Sequence, residues 1–522
     1  MLFTSVLFLI VFLLANSKYT LALVPKPSHY NRSSTACYLQ RPLNYQNDYP
    51  ACFVLTDYLK RFQRRLALQH PRISQQHEIK CNISELKIKI DDGCDESKNK
   101  LWPNVSIDES YYITIRDTEI NILSMEVWGV IHALETILQL VYKGKFGGNV
   151  VFQGDIIDEP EFSHRGLLID TARNFMSVEI LRKMIDIMAI VKMNVLHWHI
   201  TDDQSFPFVS TTYPELSDKG AYHPQKCTYD EEEVSDLLEY ARLRGVRIIP
   251  EFDTPAHMLS WGKAYPDILT KCYNDSKPNG KFGPLNPANE STYEFLKQFF
   301  KEVIGRFHDS YIHLGGNEVD YECWKSNPEI VEFMQKMGIN DDYFELEKYH
   351  FMKVIQIVKN MTTDPDYPMT PIVYQESFVE ECGYDQSTII HVWKSDNWKK
   401  YTFNATEDGH SVIISGIWNL NDLQHDDDWS RYFEQNIRDF GGTLTESIEV
   451  LGGEAEIWST HADETNVISL AWPRGAAVAE RLWSKHTVNV SEFGERVEEL
   501  RCRMRQNNVP VHPLSGSGFC QY

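Results

Sequence analysis

The sequence predicts an α/β protein: a (β/α)8 TIM barrel preceded by a small α+β domain. Three observations predict it. After Pro160, short apolar runs alternate with longer amphipathic ones eight times over. Polar residues gather at the C-terminal end of each apolar run, where a parallel barrel collects its working groups. No GxGxxG or Walker loop supports the runner-up, a doubly wound open sheet.

The chain begins with an apolar run from Val6 to Ala15, too short for a membrane span of about 20 residues. It reads as the core of a signal peptide covering residues 1–22, cleaved near Ala22. Ten cysteines, none in a CxxC pattern, agree with an ER route. So do eight N-x-S/T sequons, at Asn31, Asn82, Asn104, Asn274, Asn289, Asn360, Asn404 and Asn489. A length of 522 residues with 42% apolar content suits a large barrel plus a smaller domain. The net charge of −23 argues against nucleic acid or an anionic membrane surface as partner.

Residues 23–160 mix helical and strand patterns. A helix is expected from Phe53, and strands at ELKIKI (from Glu85) and YYITI (from Tyr111). A second helix places Val127, Val130, Ile131, Leu134, Ile137, Leu138 and Val141 on one face. No catalytic cluster is visible there. Residues 161–522 form the predicted barrel, with a C-terminal helix and tail. Its strands start near Arg165, Asn194, Val246, Tyr311, Thr370, Thr388, Ser411 and Gly453. Capping boxes at Thr228/Glu231 and Ser291/Glu294 are expected to open two of the helices. A last helix from Ser491 precedes a tail in which Cys520 is expected to pair with Cys502.

The strand ends carry the chemistry. The first offers Asp170 and Arg173, with Arg165 at its start; the second His197, His199, Asp202 and Asp203; the third Glu251, Asp253 and His257. The fourth runs through Gly315 and Gly316, which would let the backbone approach a ligand, into Asn317 and Glu318. The fifth brings Tyr374, Gln375 and Glu376. The last three end in Trp393, in Trp418 with Asn419, and in Trp458. Three tryptophans at one rim point to an aromatic-walled pocket. Sugar rings, with apolar faces and polar edges, are held by such walls plus carboxylates, amides and Arg. Glu318 is positioned to protonate a glycosidic oxygen. Asp–His pairing explains the histidines better than metal ligation does. No G-x-S-x-G elbow supports a serine hydrolase.

HLGGNEV followed by YECWKSNPEI resembles the signature of glycoside hydrolase family 20, the β-N-acetylhexosaminidases, and is most similar to the animal lysosomal subunits. RGLLIDTARNF, NVLHWHITDDQSFP, EFDTPAHMLSWG, PLNPANESTYEF and WPRGAAVAERLWS match in order. The resemblance implies substrate-assisted retaining hydrolysis of terminal GlcNAc or GalNAc, in which the 2-acetamido oxygen is the nucleophile. It implies no cofactor, commonly a homo- or heterodimer, and a lysosomal or secreted protein. It makes Glu318 the acid and then the base, and puts Asn317 where the family has an Asp that orients the acetamido group. Asp202 and His257 resemble the pair supporting the acid, and Arg165 the Arg gripping ring hydroxyls. Trp393, Trp458 and Tyr374 resemble pocket walls. Asn419 stands for a family Tyr, and Thr460 for a family Glu. The implied disulfides are Cys52–Cys94, Cys272–Cys323 and Cys502–Cys520, leaving Cys37, Cys81, Cys227 and Cys382 unassigned. Asn317 keeps an acceptor oxygen but lacks the charge. The alternative is therefore a carbohydrate-binding pseudoenzyme, and a distant third is a hydrolase using Glu376 or Asp203 as nucleophile.

Overall fold

The computed structural model describes residues 23–68, 78–144, 148–361, 368–378, 383–422, 428–485, 489–514 and 519–520. The predicted signal peptide and Cys382 fall outside these residues. The first part of the chain forms a six-stranded sheet: β1 (His29–Tyr45), β2 (Ile79–Ile90), β3 (Tyr111–Arg116), β4 (Glu119–Ser124), β5 (Tyr142–Lys143) and β6 (Asn149–Asp158), in the order β1-β2-β4-β3-β6-β5. Period-2 burial of Tyr111, Ile113 and Ile115 on β3 and of Ile120 and Ile122 on β4 turns one face inward. Sequence reading missed β1, β4 and β6. The long β1 carries few apolar residues at regular alternation; its burial comes from pairing with both β2 and β6.

Helix Phe53–Leu68 packs Val54, Leu55, Tyr58, Leu59, Phe62 and Leu66 inward. Helix Val127–Leu140 is buried along its whole length, not on one face. It contacts β3 and β4 as well as helix Val178–Ile190 of the barrel, and its buried polar residues His132, Glu135, Thr136 and Gln139 are each hydrogen-bonded.

The eight predicted barrel strands all form. They are β7 (His164–Asp170), β8 (Val195–His199), β9 (Arg247–Glu251), β12 (Tyr311–His313), β13 (Thr370–Tyr374), β14 (Ile389–Val392), β15 (Val412–Ile414) and β16 (Val450–Ile457). All are parallel and close into one barrel, β16 pairing with β7. A short hairpin, β10 (Leu269–Asn274) with β11 (Lys277–Leu285), is inserted between β9 and β12. Side chains alternate in and out along each strand, so inward residues stack in layers. The lowest layer is aliphatic and aromatic: Val195, Ile249, Tyr311, Ile372, Ile389 and Ile413. Two residues further along come His197, Glu251, His313, Tyr374, His391 and Ser415. The floor of the barrel is therefore oily and the layer above it ionisable.

Both predicted capping boxes shift. Asp230 caps helix Glu231–Arg242 in a box with Glu233, and Asn289 caps helix Glu290–Arg306 by accepting from Ser291 N–H. Thr228 lies two residues short of the cap position that Asp230 fills, and Ser291 already lies inside the helix that Asn289 opens. Three disulfides join Cys52–Cys94, Cys272–Cys323 and Cys502–Cys520 as implied, and a fourth joins Cys37–Cys81, with a Cα separation of 4.5 Å across β1 and β2. Cys227 is in no disulfide among the described residues. None of the eight sequon asparagines is buried. No helix among the described residues is long and apolar enough to cross a membrane.

Candidate active site

Beyond His313 the chain of β12 turns sharply. Gly315 and Gly316 have φ of +80° and +101°, and a Cβ on Gly315 would lie 1.7 Å from Asp253 Oδ1. Gly316 N–H donates to that same oxygen at 3.0 Å. The positive φ of the turn calls for both glycines, and at Gly315 so does close contact with buried Asp253. The turn delivers Asn317 buried, with no partner for Oδ1 in the described structure. It delivers Glu318, at φ +53°, with its side chain 58% exposed. Glu318 is therefore reachable from solvent.

Behind Glu318 runs a relay of charges. His257 Nε2 lies 3.9 Å from Glu318 Oε2, and Nδ1 lies 3.2 Å from Asp202 Oδ1. Asp202 Oδ2 is 2.9 Å from His199 Nε2 and 2.8 Å from an Arg173 guanidinium nitrogen. His199 Nδ1 continues to Glu251 at 2.7 Å, which also receives Tyr374 Oη–H at 3.2 Å and lies 3.1 Å from His197. His197 bridges to Glu454, and Glu454 to His164. Burial opposes a charged imidazole at His257, but Asp253 and Asp202 outweigh it and raise its pKa to about 9. His197 reaches about 9 in the same way, with Glu454 and Glu251 overcoming its burial. Asp202 goes the other way: although buried, hydrogen bonds from His199 and His257 hold it well below the usual carboxylate range.

Beside the relay stands an aromatic wall, Trp458 lying edge-on to His199 at 5.2 Å. The Trp393 and Trp458 rings are 6.4 Å apart at 66°, and Tyr374 lies edge-on to Trp393 at 5.9 Å. Each indole N–H is held by a carboxylate: Trp393 by Glu376 at 2.6 Å and Trp458 by Glu456 at 3.0 Å. Asn421 clamps the Trp458 backbone at both N–H and C=O. Arg173 lies over the Trp458 ring at 5.1 Å, and Tyr374 N–H donates to Gly315 C=O at 2.8 Å. The two walls therefore join at both ends. A ring of contacts runs from Glu318 through His257, Asp202, Arg173, Trp458, Trp393 and Tyr374 back to the Gly315 turn.

Two expected site residues lie elsewhere. Arg165 is the second residue of β7, at the opposite end of the barrel, fully buried, with both terminal nitrogens on Glu109 at 2.9 and 2.6 Å. Strand direction decides this: the start of a parallel strand lies at the barrel bottom, and Arg173, past the strand's end, lies at the top. Trp418 is also fully buried. Its N–H is on Tyr432 C=O at 3.1 Å and its ring lies against Gly453, so it packs between the barrel and helix Asp428–Glu434. A short 3-10 turn at Gly416–Trp418 rotates it off the rim. Asn419 stays near the wall, paired with Glu456 by an isolated bridge, and its Oδ1 accepts from Asn421 N–H. Glu376 is tied by Trp393 and Lys394, and Asp203 accepts from the Leu259 amide through one oxygen. Sequence reading missed Asn421 and Glu456, and gave Glu376 as a candidate nucleophile rather than as an indole anchor. A carboxylate two residues before a rim tryptophan, as in Glu456–Trp458, was the available signal.

The comparisons with known proteins agree with this geometry. Residues 162–486 match the glycosyl hydrolase family 20 catalytic domain, and residues 23–140 match the description "beta-acetyl hexosaminidase like". The chain is 40% identical to beta-hexosaminidase subunit beta of Felis catus over 519 residues, covering 96% of this chain and 94% of that one. It is 39% identical to subunit alpha of Bos taurus, covering 96% and 95%. Among solved structures, a chitobiase of Flavobacterium johnsoniae superposes with a TM-score of 0.80 at 28% identity, over 94% of this chain and 73% of that one. By its barrel, its strand-end carboxylate and these matches, the chain belongs to glycosyl hydrolase family 20.

Proposed function

We propose that the protein is a β-N-acetylhexosaminidase that removes terminal, non-reducing N-acetylhexosamine from glycoconjugates with retention of configuration. The observation carrying this reading is the closed ring of contacts, with one exposed acid facing two carboxylate-anchored indoles. In the first step Glu318 gives its proton to the glycosidic oxygen as the C1–O bond breaks. The substrate's acetamido oxygen attacks C1, and an oxazolinium forms between the Trp393 and Trp458 walls. Glu318, now a carboxylate, takes a proton from water as that water attacks C1 and regenerates the acetamido group. In this reading the substrate's acetamido group supplies the nucleophile, as in the family's substrate-assisted scheme. Asn317 accepts the acetamido N–H through its free oxygen, and Arg173, in place of Arg165, grips ring hydroxyls. His257 and Asp202 keep Glu318 oriented.

The signal-like leader, sequons and disulfides support passage through the ER to the lysosome or outside. The relatives are named as alpha and beta subunits, which supports a dimer here, homomeric or with a second subunit. The test compares an aryl N-acetyl-β-glucosaminide with the matching aryl β-glucoside. Hydrolysis of the first alone is expected. Equal turnover of both would remove the substrate-assisted mechanism, and turnover of neither would remove the enzyme.

A further inference from the structure

A cleft of about 400 Å³ lies where the first-part helices meet the outside of the barrel. It sits below the barrel, away from the strand-end pocket: its walls include Ile190, shortly before β8 begins, and Arg244, shortly before β9 begins. Its lining is unlike the rest of this acidic chain. Arg61, Arg64 and Arg65 come from helix Phe53–Leu68, Lys183 from helix Val178–Ile190, Arg244 from the turn after helix Glu231–Arg242, and Arg503 from the last helix. Asp186 is the one carboxylate in the lining.

Asp186 cannot neutralise the group. Its Oδ1 already serves Arg244 at 2.5 Å and Arg61 at 3.5 Å, and its Oδ2 accepts from Tyr240 Oη–H at 2.8 Å. Arg65 is taken by buried Glu135, and Arg503 by Glu499 and backbone carbonyls. Arg64 and Lys183 have no ion-pair partner among the described residues, and both are exposed. Between these cations the floor is apolar, with Ile187, Leu500 and Met504. The volume lies in the range of small-molecule sites, about 300–1,000 Å³. In a protein of net charge −23, like-charge repulsion keeps anions away except where cations cluster.

We propose that this cleft is a second ligand site, distinct from the hydrolytic pocket, that takes a small amphiphilic anion: a phosphate or sulfate monoester bearing an apolar group. The ester head is held between Arg64 and Lys183, and the apolar part lies on Ile187, Leu500 and Met504. No histidine lines the cleft, so its own charge is the same at pH 5 and pH 7.

Titration calorimetry of the full chain with hexyl phosphate at low salt tests this. Saturable one-to-one binding is expected, weaker with inorganic phosphate, absent with hexyltrimethylammonium, and falling as salt rises. The double variant Arg64→Glu, Lys183→Glu is expected to bind at least tenfold more weakly while hydrolysing an aryl N-acetyl-β-glucosaminide at the parent rate. Both side chains are exposed, so an unchanged unfolding midpoint is expected as the folding control. A parallel arm uses vesicles with and without an anionic phospholipid. Binding to anionic vesicles but not to monomeric hexyl phosphate would overturn the small-molecule site in favour of a membrane patch. No saturable binding by the parent, undiminished binding by the variant, or equal binding of the ammonium analogue would each overturn the proposal outright.

Discussion

Arg173 and Asp202 form an ion pair, Nη2 to Oδ2 at 2.8 Å, that joins the acid's supporting relay to the tryptophan wall. The guanidinium reaches Asp202 while lying over Trp458, so one side chain ties the two halves of the pocket together. Arg165, eight positions earlier, makes a fully buried pair with Glu109 at the far end of the barrel.

The two arginines are expected to separate cleanly under mutation. Arg173→Gln should lower kcat/KM by about 10² with a modest effect on stability, through lost substrate contact and lost orientation of Asp202. Arg165→Gln leaves Glu109 buried without its bidentate partner and should cost roughly 3–5 kcal/mol of stability, with KM unchanged. Steady-state kinetics and denaturant unfolding on both variants check this; an increased KM for Arg165→Gln would reverse the assignment.

Asn317 holds an orphaned oxygen where a charge would stabilise the oxazolinium. Asn317→Asp is expected to raise kcat on an aryl N-acetyl-β-glucosaminide by about 10²–10³, the usual worth of one charge-assisted contact to a transition state. An unchanged rate would mean that the acetamido group is oriented without this residue.

Glu318→Gln should cut turnover by roughly 10²–10⁴, the range for general acid–base catalysis. The loss should shrink in the first step as the leaving group becomes a better one, because a good leaving group departs without a proton. A rate series over aryl groups of different acidity measures it, and a leaving-group-independent loss would count against Glu318 as the acid.

Stability is expected to fall as pH rises. His257 and His197 have folded pKa values near 9, above the ordinary 6.5. Their contribution is complete below 6.5 and is lost as pH climbs through about 9. Glu456 and Glu347 are raised by burial to about 7 from 4.5, so the folded state favours their protonated forms. That contribution is complete below 4.5 and is lost through about 7. A shift of this size is worth roughly 3 kcal/mol for one group. The depressed carboxylates Asp202, Glu251 and Glu454 work in the opposite direction in acid. The unfolding temperature should therefore peak on the acid side of neutrality and decline toward pH 9. Glu456→Gln, which keeps an acceptor for the Trp458 indole, should flatten part of the fall between pH 4.5 and 7. A midpoint that rises from pH 5 to 9 would contradict these assignments.

The barrel was legible because its strands are short apolar runs bounded by glycine, proline and polar residues, a pattern local to each strand. The small sheet was less legible: β1 is buried by partners distant in sequence, and helix Val127–Leu140 looked one-sided until the barrel covered its other face. Glu318, Asn317, Asp202 and His257 were expected from strand-end position and family resemblance, and Glu318, His257 and Asp202 do lie in one chain of contacts. Arg165 and Trp418 could not be placed correctly, because a residue's place in a motif does not say which end of a strand, or which side of a turn, its side chain occupies.

By itself, the amino-acid sequence determined the alternation of strands and helices, the Gly-Gly turn before Asn317 and Glu318, and the acidic character of the whole. These depend on local periodicity, backbone freedom and summed charge. Tertiary structure alone decided that Arg173 rather than Arg165 lies beside Asp202 and Trp458, that Glu376 and Glu456 anchor the indoles, and that cations from four separate segments meet in one cleft below the barrel. Each of those is a juxtaposition of residues far apart in the chain, set by barrel closure and by the packing of the first part against it.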